Sequence, residues 1–99
     1  MRYLHTMVRV TDLDASLRVH RDALALEVTR RGDLPAGRFS LVYLAPRGQP
    51  ESEIELTHNW DPEVYTGGRN FDHVAYEVDD IYAACERLLA ICIACHCAM

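Results

Sequence analysis

Five polar residues on three segments of the chain have types and spacings suited to binding a divalent cation and an anion. His5 and Arg9 are four residues apart, which places them on one face of a β-strand, roughly 13 Å from each other. Glu55 and Asn59 repeat this spacing, and His73 begins a third segment. Two imidazoles and one carboxylate are a facial ligand set for a divalent cation. An Arg/Asn pair about 13 Å from such an ion would suit an elongated anionic ligand.

The same residues also have a simpler interpretation. A histidine in a strand is most often a surface or hydrogen-bonded polar residue, and Glu55 with Asn59 fits the solvent face of an amphipathic strand. Spacing alone leaves both interpretations open.

Hydrophobic patterns predict the elements that must position these residues. Residues 5–10 alternate, Thr11-Asp12 offers a helix N-cap, and a helical stripe follows at Leu13, Leu17, His20 and Leu24. Further strands are predicted over 27–31, 39–44 and 53–59, with a loop over 32–37. The predicted order of this first unit is β-α-β-β-β.

An internal repeat predicts a second copy of this unit. Aligning His5 with His73 also aligns Asp12 with Asp80, so that a strand over 73–78 and a following helix are expected. The fold class is therefore α+β, with paired βαβββ modules of which the second is truncated after its first strand and helix. The predicted organisation is a first module over 1–60, a linker over 61–70, the start of the second module over 71–90 and an atypical Cys-rich tail over 91–99.

Charge and composition exclude several classes of function. The 99 residues include 10 basic and 15 acidic side chains, for a net charge of −5, and no basic stripe. We therefore expect no nucleic-acid partner and no binding to anionic membranes. The first residues contain neither a signal peptide nor a membrane span, which predicts a cytoplasmic protein.

The cysteines all lie near the end of the chain, at positions 85, 92, 95 and 97. This clustering argues against a disulfide framework. Residues 92–96 match the C-x-x-C-H pattern of haem attachment and could also form a soft-metal thiolate site. We favour a frame-shifted or otherwise altered terminus.

Several stretches of the sequence resemble glyoxalase I, the lactoylglutathione lyase of the vicinal-oxygen-chelate superfamily. They are Leu-His-Thr-Met-Val-Arg-Val at 4–10, Phe-Ser-Leu at 39–41, Ile-Glu-Leu-Thr-His-Asn-Trp at 54–60 and Phe-Asp-His-Val-Ala-Tyr-Glu-Val at 71–78. The block at 54–60 is the most specific. The resemblance covers residues 1–90.

This resemblance implies an activity and a set of site residues. Glyoxalase I isomerises the hemithioacetal of methylglyoxal and glutathione to S-lactoylglutathione, usually as a homodimer whose sites form between subunits. The family's metal-ligand positions are occupied here by His5, Glu55 and His73. The resemblance implies a nickel or a zinc ion, and the His at position 5 resembles the nickel-activated type. The family's substrate-binding positions are occupied by Arg9, Asn59 and Arg69, and His73 is also counted among the substrate-binding residues.

The chain departs from this family at several places. The family's fourth ligand and base is a Glu on the last strand of the second module, beyond the end of this sequence, so no catalytic residue is assigned. We therefore expect weak or no turnover. A non-catalytic small-molecule-binding member of the superfamily and an inactive remnant are the alternatives. Ala25 stands where Gly usually ends the first helix, at a cost of about 1 kcal/mol if the position is left-handed.

Overall fold

Four strands form one mixed sheet in the computed structural model, which describes residues 1–95 and their side chains through residue 91. The spatial order is β1-β4-β3-β2. β1 pairs with β4 in parallel, whereas β4 with β3 and β3 with β2 are antiparallel. The strands are β1 (His5–Arg9), β2 (Glu27–Leu34), β3 (Phe39–Ala45) and β4 (Glu53–Asn59).

The first helix begins at Asp12, whose carboxylate accepts a hydrogen bond from the amide of Ala15 at 3.0 Å. Helix α1 (Leu13–Leu17) continues as a π-helical segment, Arg18–Ala23. The wider turns of this segment place Val19 and Ala23 in the interior instead of the expected His20, which is half-buried. The imidazole of His20 is instead hydrogen-bonded to the carbonyl of Ser16 at 2.8 Å.

One hydrophobic core lies between the sheet and the first helix. Its fully buried centre is formed by β3 and β4, where every second residue points inward. Leu13 and Leu17 cover it from α1. The core residues are Leu13, Leu17, Leu26, Val42, Leu44, Ile54 and Leu56.

A second helix, α2 (Ile81–Cys95), packs against the π-helical segment. Ala84 is 3% exposed, and the Arg87 guanidinium donates to the carbonyl of Ala23 at 3.3 Å. The helix extends beyond the expected limit at residue 90. Of the cysteine-rich end, the side chains of Cys92 and Cys95 and all of residues 96–99 lie outside the described part of the chain.

The α+β prediction, with a complete first βαβββ module, is confirmed. β2 is longer than predicted, because Gly32, Asp33 and Leu34 pair with β3 instead of forming a loop. The strand predicted over 73–78 is wrong: residues 61–80 contain neither helix nor strand. A strand needs a hydrogen-bonded neighbour, and the only sheet in residues 1–95 does not include this segment. Within the same residues, no helix is long and apolar enough to cross a membrane.

Candidate functional site

The side of the sheet away from the core carries the polar residues that the sequence singled out. We call this side the open face and define it by His5, Met7 and Arg9 of β1, Tyr43 of β3, and Glu53, Glu55, Thr57 and Asn59 of β4. Strand alternation separates these residues from the inward-pointing Ile54 and Leu56. Strand β4 therefore contributes side chains both to the core and to the open face.

His5 and Glu55 come together because β1 and β4 are neighbours in the sheet. Met7 pairs with Glu55 in the parallel register, which places His5 two residues from that pair and on the same face. The Nε2 atom of His5 lies 3.2 Å from Oε1 of Glu55. Their side chains are 27% and 13% exposed, so the pair is accessible but largely surrounded by protein.

Two hydroxyl groups also act on the Glu55 carboxylate. Thr57 donates from Oγ1 to Oε2 of Glu55 at 2.5 Å, and the hydroxyl of Tyr43 lies near enough to the same carboxyl group to lower its pKa. Burial by itself would raise the pKa of Glu55. The two hydroxyls, together with the charges of His5 and Arg30, nevertheless hold that pKa below its ordinary value. The lowered pKa favours the charged form of the carboxylate, which is the form that binds a cation.

Tyr43 links both members of the pair. Its ring meets the His5 ring edge to face, with centroids 5.0 Å apart and planes at 88°. The guanidinium of Arg30 lies over the Tyr43 ring, 3.7 Å from its centroid. Arg30 also donates a hydrogen bond to the carboxylate of Glu53 at 3.3 Å. The neighbouring Glu55 carboxylate, and then burial, raise the pKa of Tyr43.

The other end of the open face presents Asn59 and Arg9. The amide of Asn59 donates to the carboxylate of Glu63 and to the hydroxyl of Tyr65, both at 3.3 Å. Burial and Glu63 raise the pKa of Tyr65, and the positive charge of the nearby Arg9 opposes them. A pocket of about 220 Å³ opens here, lined in part by Asn59, Glu63 and Tyr65.

The structure does not bring His73 to this site. The side chain of His73 is 74% exposed and lies 3.5 Å from Asp72. Tyr76, further along the same segment, packs against the core instead of the open face. Arg69 is likewise exposed on this segment. Among the side chains that the structure describes, those of residues 1–91, no three from His, Cys, Asp or Glu come together as a metal site, so His5, Glu55 and His73 do not meet within a single chain.

Three residues at the site were not assigned a role from the sequence: Tyr43, Thr57 and Arg30. Thr57 could have been found, since it lies between Glu55 and Asn59 on the same strand face. Tyr43 and Arg30 could not, because their places depend on the pairing of β3 with β4 and on an irregular register between Val28 and Arg30.

Residues 2–96 match the model of the glyoxalase/bleomycin resistance protein/dioxygenase superfamily. The chain belongs to this superfamily. Within it, the chain is similar to a lactoylglutathione lyase of Neisseria meningitidis, with 47% identity over 89 residues. That alignment covers 89% of the chain and 64% of the relative, so the chain spans less than two thirds of that relative's length.

Solved structures agree with this membership. The glyoxalase I of Leishmania major, which is described as trypanothione-dependent, superposes with a TM-score of 0.78 at 32% identity, over 91% of this chain and 66% of that one. Glyoxalase I from Zea mays superposes with a TM-score of 0.82 at 26% identity, over 92% of this chain and 33% of that one. The βαβββ arrangement of this superfamily member is thus shared with glyoxalase I enzymes.

Proposed function

We propose that this superfamily member acts as a metal-dependent lactoylglutathione lyase. The reaction would isomerise the hemithioacetal of methylglyoxal and glutathione to S-lactoylglutathione. The observation that carries the proposal is the His5–Glu55 pair, which adjacent strands hold 3.2 Å apart on the open face. The similarity to a lactoylglutathione lyase at 47% identity supports the substrate class.

The pair fits a nickel or zinc ion. Nitrogen and oxygen ligands bind such an ion at about 2.0–2.2 Å. Two ligands at that distance and about 90–110° apart would be separated by roughly 3.0–3.4 Å, and the His5 and Glu55 atoms meet this condition. The low pKa of Glu55 keeps its carboxylate in the ligating form. These two residues would hold the cation, with His73 as the third ligand.

His73 would reach the site from a second copy of the chain, in a homodimer. Two observations support this arrangement. The imidazole is 74% exposed and therefore available to a neighbouring molecule. The chain exposes 7632 Å², whereas a compact domain of 11.3 kDa exposes about 5,700 Å², and large apolar side chains such as Phe71 and Val74 contribute to the excess.

The remaining residues would bind and orient the substrate. In the reaction a proton leaves the carbon beside a carbonyl, and negative charge develops on the oxygens. A bound divalent cation stabilises such charge as a Lewis acid. Arg9 and Asn59 would hold the carboxylate of the γ-glutamyl end, with Arg69 as a further basic contact. The hydrogen bond from Asn59 to the Glu63 carboxylate supports this role, because a ligand carboxylate would accept in the same way. We place this activity in the cytoplasm.

The test is isomerisation of the hemithioacetal by the purified full chain, followed by the thioester absorbance of the product. The chain is measured metal-free and then after loading with Ni²⁺ or Zn²⁺. Turnover that requires the metal is the expected result, at a low rate. Glu55→Gln should abolish the response to metal, whereas Glu51→Gln, on an exposed loop, should leave it unchanged.

The opposite outcome would be equally informative. A folded, metal-loaded chain without turnover would overturn the lyase proposal for this chain, as would equal turnover in the Glu55→Gln variant.

A further inference from the structure

The two oxygens of the Glu55 carboxylate have different neighbours. Its oxygen Oε2 accepts from Thr57 at 2.5 Å, while the other oxygen, Oε1, lies 3.2 Å from His5. The carboxylate therefore has two different sides. Thr57, on the same strand, binds Oε2. The other oxygen, Oε1, faces the imidazole of His5 on β1.

Tyr43 fixes the same pair from the neighbouring strand. Tyr43 and Glu55 are direct partners in the antiparallel register, where opposite side chains are in contact distance. Its ring stands at 88° to the His5 ring, with centroids 5.0 Å apart, and its hydroxyl lies near enough to the Glu55 carboxylate for the two groups to shift each other's pKa. One rigid side chain thus contacts both proposed ligands.

The Tyr43 side chain is itself held in place. The Arg30 guanidinium lies 3.7 Å from its ring centroid. Arg30 is in turn anchored by Glu53, which also accepts a hydrogen bond from Thr29 at 2.5 Å. The contacts run from β2 across β3 to the ligands on β4 and β1, so that the orientation of Tyr43 is determined by the sheet itself.

We infer that Tyr43 and Thr57 are positioning residues for the cation ligands: Thr57 holds Oε2 of the Glu55 carboxylate, which leaves Oε1, beside His5, to bind the ion, and Tyr43 packs beside both ligands and fixes their orientation. The inference rests on the proposed function, because it takes His5 and Glu55 as ligands. Partners of this kind typically change metal affinity 10–100-fold when they are removed.

The experiment measures Zn²⁺ affinity of the full chain by competition with a chromophoric chelator, and the visible spectrum of the Co²⁺ form. Tyr43→Phe and Thr57→Val each remove one hydroxyl and should weaken Zn²⁺ binding about 10-fold, with a changed Co²⁺ spectrum. Thr57→Ser keeps the hydroxyl and should restore near-normal affinity. Tyr82→Phe, on the exposed side of α2, is the matched control and should bind like the unmodified chain.

Urea unfolding of the metal-free chains separates positioning from a general effect on the fold. If Tyr43 acts on the ligands, Tyr43→Phe should weaken Zn²⁺ binding and leave the unfolding midpoint of the metal-free chain close to that of the unmodified chain. A Thr57→Val chain with normal Zn²⁺ affinity and spectrum, together with a normal Tyr43→Phe chain, would overturn the inference and leave the lyase proposal standing. An unmodified chain that binds no Zn²⁺ or Co²⁺ would overturn both.

Discussion

Replacing Leu56 with Ala should cost the chain about 3–4 kcal/mol of unfolding free energy. Leu56 is fully buried in β4, and its register partners are Val8 on β1 and Val42 on β3. The substitution removes three buried carbons, worth about 2.4 kcal/mol in transfer free energy. Both neighbours are fixed by backbone pairing and cannot close the space fully, so a cavity cost of about 1 kcal/mol adds to this value.

Urea unfolding followed by the fluorescence of Trp60 measures this loss. With a denaturant slope of about 1.5 kcal/mol per molar, the midpoint should fall by about 2 M. The control Leu89→Ala removes the same atoms from a side chain that is 63% exposed on α2, and should change the free energy by less than about 0.5 kcal/mol. A loss below about 1 kcal/mol for Leu56→Ala, at an unchanged slope, would refute the placement of the core around β4.

Two further outcomes concern the backbone and the pH dependence. Ala25 has a φ of 58°, so Ala25→Gly should relieve left-handed strain and raise the unfolding free energy by about 0.5–1 kcal/mol. The thermal midpoint should rise by several degrees, and a lower midpoint would contradict this prediction. Burial, and then the nearby Tyr3, raise the pKa of Tyr76. The folded chain then keeps a proton that the unfolded chain has lost, so the unfolding free energy should decrease as the pH rises through about 10. Tyr76→Phe should make that decrease shallower in urea titrations between pH 8 and 11 (roughly the range about the tyrosine pKa), and an unchanged slope would exclude Tyr76 as a contributor.

Local patterns predicted the first module well, because its strands alternate and its first helix has a clear cap. Alternation in 53–59 matches β4 to the residue, and the N-cap at Asp12 is observed. The condition attached to Ala25 is met, since its backbone is left-handed. In this module the patterns missed the extension of β2 to Leu34. They also missed the π-helical turn after Leu17, because the predicted hydrophobic stripe assumed α-helical spacing throughout.

Residues 73–78 show the opposite case. They alternate as clearly as β1 does, and they align with it in the repeat, yet only β1 is in the sheet. Alternation describes a segment that is able to form a strand, but pairing requires a partner that local sequence does not contain. The position of His73, and with it the third proposed ligand, therefore could not be obtained from its own segment.

The site on the open face depends on the core through the geometry of β4. Side chains alternate strictly along a strand, so the burial of Ile54 and Leu56 requires Glu55, Thr57 and Asn59 to share the opposite face. A slip of one residue would expose the leucine and bury the glutamate, which the hydrophobic pattern forbids. A slip of two residues would keep the faces and yet separate Glu55 from His5. The pattern in the sequence thus determines which residues form the site, whereas their 3.2 Å contact depends on the register between β1 and β4. That register therefore links the folding of the sheet to the proposed cation site.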